Sequence, residues 1–314
     1  MRKRLLGIGE CMVELSPEAP GLWRQGFAGD VLNTLWYARA CLDADHAVEF
    51  HTGLGRDALS GELEAFLVAN GIDPGDSPRF DDATLGLYAI HLDGGERSFS
   101  YWRDTSAARR LAADPERLAR RIASADLVYL SGITLAILPP GDLDTLHAVL
   151  VEARDGRTIA FDPNIRPRLW RDDARMRAGI ERFAALAHLC LPGVEDEALC
   201  FGAGDAEDVA RRYLDLGVER VVVKDGARRI RVRGDVELDL DVEPVAEPLD
   251  TTGAGDAFAG AFLAGLLSGL DVETALRQGQ ACAATVIMTP GALCPHDRLR
   301  DRLRDRLDPG ARHP

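Results

Sequence analysis

Apolar segments of strand length alternate with helix-length patterns through most of this chain. That order predicts an α/β fold: a mainly parallel central sheet covered by helices on both faces, with a small β-sheet lid. Two observations carry the expectation. Residues 5–9, 48–53, 127–131, 158–161, 189–191 and 221–223 read as short apolar strands, and helical patterns follow them, for example at 143–153 and 209–216. One stretch departs from this rhythm. Residues 84–92 and 97–103 alternate in strand fashion around Asp93-Gly94-Gly95-Glu96, which signals a hairpin placed early in the chain, where a lid can be inserted.

The chain has 314 residues, enough for one large α/β domain that buries roughly three quarters of its unfolded surface. We read residues 1–314 as a single domain, with lid strands inserted within about 12–36 and 84–104. Six scattered cysteines form no C-x-x-C pair and read as small hydrophobes in a reducing compartment. A formal net charge of −14 argues against a nucleic-acid partner but not against a nucleotide, which needs only a locally positive pocket. The opening MRKRLLGIGECM is basic, yet its apolar run is short and broken by Glu10, and no stretch approaches membrane-spanning length. A cytoplasmic protein without a membrane partner is expected. In the tail, Leu299, Leu303 and Leu307 mark one face of a short helix whose other sides carry alternating Asp and Arg.

Most of the chemistry lies in DTTGAGDAFAGAFLAGLL, residues 250–267, where a polar turn runs straight into a helix of small residues. Gly253, Ala254 and Gly255 let backbone N–H groups approach a ligand closely. They sit where the helix begins, and a helix N-terminus offers unpaired donors and a favourable dipole to an anion. Asp256 follows in the first turn. It reads either as a stabilising helix-start carboxylate or as the acceptor of a proton from an attacking hydroxyl beside a bound phosphate.

DTTGAGDAF resembles the C-terminal signature of ribokinase-like (PfkB) sugar kinases. The resemblance implies a three-layer α/β/α fold, Asp256 as catalytic base and Gly253, Ala254 and Gly255 as an anion hole. A second stretch, FAGDVLNTLWYARA at residues 27–40, is similar to the family's sugar-site motif through Gly29, Asp30 and Asn33, although an Asn-bearing helix start without ligand fits the same residues. The likeness runs from GIGECMVELS to the region of Gly291.

Three stretches resemble 2-keto-3-deoxygluconate kinases in particular: LGLYAI, ERSFSYWRDTSAAR and FDPNIRPRLW. Carried over position by position, they imply sugar-acid contacts from Tyr88, Tyr101, Arg103 and Arg166. The physical argument agrees, because a keto acid carries a carboxylate and arginine's planar fork meets a carboxylate through two parallel hydrogen bonds. Taken alone, hairpin aromatics more often pack on the sheet below them. The resemblance further implies ATP contacts from Asn164, Lys224 and Gly226, and Mg2+ beside Asp196. At the latter place the family's Asn-x-x-Glu reads Gly193-Val194-Glu195-Asp196, and Glu195 or Glu197 stands close enough to substitute. Asp250, Thr252 and the backbone of 286–291 resemble the monovalent-cation loop of some relatives, which makes K+ a further expectation. A homo-oligomer formed through the lid is implied in the same way.

Other readings fit less well. Gly7-Ile8-Gly9 follows a strand, but Met12 occupies the third glycine position of a dinucleotide fingerprint, and no Gly-Lys-Ser/Thr exists for a P-loop. A kinase for fructose, ribose or 2-keto-3-deoxygalactonate, and a non-catalytic sugar or nucleotide sensor, remain open alternatives. Asp256 separates the last of these, since a sensor could dispense with a base.

Overall fold

The structure, a computed structural model, describes residues 2–19, 21–93, 96–202 and 204–307. β1 (Arg4–Ile8) opens the chain, followed by β2 (Met12–Ala19) and β3 (Leu22–Ala28). After α1 (Asp30–Cys41) come β4 (Ala47–His51), the short β5 (Leu54–Gly55), α2 (Ala58–Ala69) and the short β6 (Arg79–Phe80). β7 (Gly86–Asp93) and β8 (Glu96–Trp102) pair in the expected hairpin, whose Gly94-Gly95 tip lies outside the described residues. Alternation then sets in: α3 (Pro115–Ser124), β9 (Leu127–Ser131), α4 (Gly132–Ile137), α5 (Pro140–Ala153), β10 (Thr158–Asp162), α6 (Asp173–Ala184) and β11 (Leu189–Cys190). Next are α7 (Val194–Phe201), α8 (Ala206–Asp215), β12 (Arg220–Asp225), β13 (Arg229–Gly234) and β14 (Leu238–Asp241). The chain closes with α9 (Ala254–Leu267), α10 (Val272–Val286) and α11 (His296–Leu307).

The central sheet has the order β14-β13-β12-β11-β10-β9-β1-β4, with β12 through β4 parallel and the last two strands antiparallel at one edge. Side chains alternate across a strand, so each apolar strand feeds two helical layers at once. In β9, Leu127 and Tyr129 enter the core beneath α1, α9 and α10, whereas Val128 and Leu130 enter the core beneath α3, α5 and α6. β10 and β12 divide in the same way, with Ala160 and Val222 on the first side and Ile159, Phe161, Val221 and Val223 on the second. Three layers result. The antiparallel edge was not anticipated, because its arginines and aspartates hide the strand pattern; they pair across strands, as Arg229 does with Asp241 at 2.8 Å.

A separate four-stranded sheet, β3-β2-β7-β8, stands apart from the large one. β2 and β7 pair in parallel, so both segments expected to carry lid strands meet in one sheet. Residues 30–36, expected within the first insertion, instead form the start of α1. The short polar turn at Gly29-Asp30 ends β3 and lets Val31, Leu32 and Leu35 sink into the core. Leu299 and Leu303 of α11 are buried there too, as the tail's leucine spacing predicts. Among the described residues no helix is long and apolar enough to cross a membrane.

α1 and α9 pack tightly, and a glycine sets how closely. A Cβ on Gly260 would lie 2.2 Å from the Thr34 carbonyl oxygen, which is backbone and cannot swing aside. Gly260→Ala should therefore destabilise the fold by about 1–3 kcal/mol in urea melts. Unchanged stability would show that the contact yields at little cost.

Candidate active site

The parallel strands point their carboxyl ends at one cleft of about 540 Å³, where ligands of open α/β sheets are expected. Its floor comes from the residues that follow β10, β11 and β12 together with the N-termini of α1 and α9; the small sheet supplies the facing wall through Met12, Ala28, Tyr88, Phe99 and Tyr101.

α9 begins here for a local reason. Gly253 adopts a left-handed φ of 75°, a conformation glycine takes without strain, and the chain turns straight into the helix. No side chain caps this N-terminus, so its N–H donors and dipole face the cleft. Asp256, in that first turn, is half-buried, and its Oδ2 accepts a hydrogen bond from Asn33 Nδ2 at 2.8 Å. Its pKa is pushed up to about 7, chiefly by burial and then by the negative charge of Asp30; the Asn33 hydrogen bond and the charge of Lys224 pull the other way. The result is a carboxyl group that changes protonation near neutrality, the range suited to a general base.

Around it the acids and cations are held in pairs. Lys224 Nζ meets Asp162 Oδ2 at 2.6 Å. Asn164, in a left-handed backbone turn with φ of 34°, donates its Nδ2 to Asp30 Oδ2 at 2.8 Å. Burial raises the Asp30 carboxyl despite hydrogen bonds that favour its charge. Arg166 Nη1 contacts both carboxylate oxygens of Asp196, at 3.0 and 3.1 Å. Tyr88 donates its hydroxyl to Glu14 on the neighbouring strand and lies 5.8 Å, ring centre to ring centre, from Tyr101.

This arrangement combines an uncapped helix start, a poised carboxylate and neighbouring cations, which suits transfer of a phosphoryl group to a hydroxyl. A model of the "pfkB family carbohydrate kinase" matches residues 2–297 of the chain. The chain belongs to the pfkB family of carbohydrate kinases. This kinase is 36% identical over 308 residues to the 2-dehydro-3-deoxygluconokinase of Escherichia coli, covering 95% of this chain and 99% of that protein. The enzyme of the same name from Dickeya dadantii is also 36% identical, over 307 residues, covering 95% and 98%. A PfkB protein of a Polaromonas species has the same fold, with a TM-score of 0.79 and 29% identity over 97% of this chain and 99% of that one.

Of the residues singled out in the kinase's sequence, Gly29, Asp30, Asn33, Tyr88, Tyr101, Asn164, Arg166, Asp196, Lys224, Gly226, Thr252, Gly253, Ala254, Gly255 and Asp256 line the cleft together. Two do not. Arg103 turns below the small sheet, where Glu10 and Arg103 form a buried ion pair and Ser106 donates to the same carboxylate at 2.5 Å. Its position fits a strut that fixes the base of the small sheet. Asp250 is buried and accepts the N–H groups of Thr252 at 3.0 Å and Gly291 at 2.7 Å, which closes the loop before α9 onto the loop after α10.

Sequence reasoning passed over Asp162, Ile133 and Ala292, which also line the cleft. Asp162 had a visible signal, since it stands beside Asn164 in the FDPN turn. Its pairing with Lys224 spans 62 positions and could not be read from spacing.

Proposed function

We propose that this carbohydrate kinase transfers the γ-phosphoryl group of ATP to the terminal hydroxyl of 2-keto-3-deoxygluconate, giving 2-keto-3-deoxy-6-phosphogluconate. The carrying observation is Asp256, held 2.8 Å from Asn33 at the mouth of the uncapped helix α9. The names of the relatives at 36% identity support the sugar acid.

Each group has a role on this reading. Gly253, Ala254 and Gly255 receive the outer phosphates of ATP on their N–H groups, and Lys224 and Gly226 flank them. Asn33 orients Asp256, which removes the proton of the sugar's hydroxyl as that oxygen attacks phosphorus. Tyr88, Tyr101 and Arg166 hold the sugar acid from the lid and the opposite wall. With the lid down, water that could take the phosphoryl group is excluded. Among the described residues no three His, Cys, Asp or Glu side chains converge on a metal position. Mg2+ commonly takes one or two carboxylates and keeps the rest of its shell from phosphates and water, a demand that Glu195 and Asp196 on the cleft wall meet. It would neutralise charge on the phosphates. A K+ ion would sit against the loop that Asp250 closes onto Gly291, beside the start of α9.

A kinase for a neutral sugar is the second reading, and one observation favours it: Arg166 and Arg103 are both neutralised by acids, Asp196 and Glu10. Coupled ADP-release assays with 2-keto-3-deoxygluconate, its galactonate epimer, fructose and ribose decide between them. We expect the keto acids to exceed the neutral sugars in kcat/KM by about 10- to 100-fold, the scale of a charge-assisted hydrogen bond. Preference for fructose or ribose would overturn the sugar-acid assignment.

A further inference from the structure

At the opposite end of the sheet, by the amino ends of β1 and β4, lies a second cavity of about 560 Å³. α1 spans the distance between the two: its first turn presents Asn33 to the catalytic cleft, and its last turn presents Arg39 to this cavity. Arg2, Arg4, Arg39 and Arg300 wall it, with His46 and His296 between them.

The lining keeps a net positive charge, in a chain whose own net charge is −14. Arg39 is only 8% exposed. Its guanidinium donates to the carbonyl oxygens of His46 at 2.7 Å and of Leu42 and Asp43 at 2.6 Å each. These neutral acceptors position the group without cancelling its charge. Arg300 places its Nε on the Ala40 carbonyl at 3.0 Å. Two carboxylates also face the cavity. Glu49 lies 3.3 Å from Arg4 and 3.5 Å from Arg121, and Asp73 accepts the N–H of Gly75 at 2.8 Å. Four arginines against two acids leave a lining charge of +2 with the histidines neutral. Asp43 and Asp45, on the exposed turn, act on Arg39 from the side. Among the described residues, Arg2, Arg39 and Arg300 have no carboxylate within 4.0 Å.

We propose that this cavity is a second binding site of the kinase, for a phosphate-bearing small molecule. Its volume falls in the range of small-molecule pockets, about 300–1,000 Å³, and exceeds what a lone ion fills. The guanidinium forks of Arg2 and Arg300 match phosphate oxygens two at a time, while Arg39, whose Nη2 already serves two carbonyls, adds a fixed positive charge beside them. Nothing in this site depends on which sugar the catalytic cleft accepts.

The test is a calorimetric titration of the wild type, Arg300→Glu and Arg2→Glu with glycerol 3-phosphate. Any binding of the probe in the catalytic cleft is common to all three proteins and cancels in the comparison. We expect a binding component in the wild type that weakens about tenfold or more in both variants. Their kcat and melting temperature without the probe should match the wild type; if charge reversal lowers either melting temperature, Arg300→Gln replaces it in the comparison. Glycerate, which has a carboxylate but no phosphate, should bind at least about tenfold more weakly than glycerol 3-phosphate. Identical titrations in the three proteins, no binding to the wild type, or equal binding of glycerate would each overturn the proposal.

Discussion

Replacing Asp256 with Asn should cut turnover by a factor of about 10² to 10⁴ while ATP continues to bind. The amide keeps the size of the side chain and can still meet Asn33, now 2.8 Å away, but it takes no proton from the sugar. Loss of kcat with an unchanged nucleotide Kd is the signature of a missing base, whereas a collapse of both would indicate a disrupted helix start. Near-wild-type turnover would refute the assignment. The same group sets the pH profile. With its pKa near 7, Asp256 is protonated and inactive in more acidic solution, so kcat/KM should climb to a plateau above about pH 7 and stand about tenfold lower one unit below that pKa. Stability should run the opposite way. In the unfolded chain this carboxyl ionises near pH 4, so between there and about 7 the folded protein holds a proton that the unfolded chain has lost. Stability from this group is therefore greatest at low pH and declines as pH rises to 7. Asp256→Asn removes the penalty and should stabilise the fold at pH 8 by on the order of 1 kcal/mol, a modest figure because the side chain keeps contact with solvent in the cleft. Urea melts of both proteins at pH 5 and pH 8 read this difference directly.

Arg166→Ala should weaken use of the sugar acid by on the order of 2 kcal/mol, or about 30-fold in kcat/KM, with little change toward a neutral sugar. Arg166 is nearly half exposed at the cleft, so the fold survives its loss. Its partner explains why the effect should stay selective. Asp196 holds the guanidinium across the cleft wall when no acid is bound, and burial already lifts the Asp196 carboxyl despite the facing arginine. On the proposed reading, a substrate carboxylate would draw on the guanidinium whose Nη1 meets Asp196, and that exchange would free Asp196 toward the phosphates. Arg166→Lys should not restore the activity, since a point charge lacks the paired donors. Equal loss with acid and neutral substrates would mean that Arg166 shapes the cleft rather than recognising charge. No loss at all would mean that the carboxylate is held elsewhere.

The two motifs that define the site were legible for different reasons. DTTGAGDAF encodes its own geometry: glycines where the backbone must turn left-handed, small residues where α9 meets α1, an acid in the first turn. The Gly29-Asp30…Asn33 stretch was legible only by resemblance, because its meaning lies in a hydrogen bond to a residue 223 positions away. Arg103 shows the limit. It follows Tyr101 in the pattern expected of a substrate contact, yet the parallel pairing of β2 with β7 brings Glu10 under the hairpin, and the arginine turns inward to meet it. Residues 30–36 were misplaced in the lid since a strand ending at Ala28 and a helix starting at Asp30 leave only Gly29 between them.

By itself the sequence determined the alternation of strands and helices, the hairpin and the glycine turn that opens α9, because each follows from periodicity or backbone chemistry within some twenty residues. Tertiary structure alone decided which charges meet. The pairs Lys224–Asp162, Arg166–Asp196, Arg103–Glu10 and Asn33–Asp256 join segments from different strands and helices. Their partners are chosen by which ends the parallel sheet gathers at one edge. Electrostatic strength depends on distance and burial, and neither quantity exists until the chain has folded.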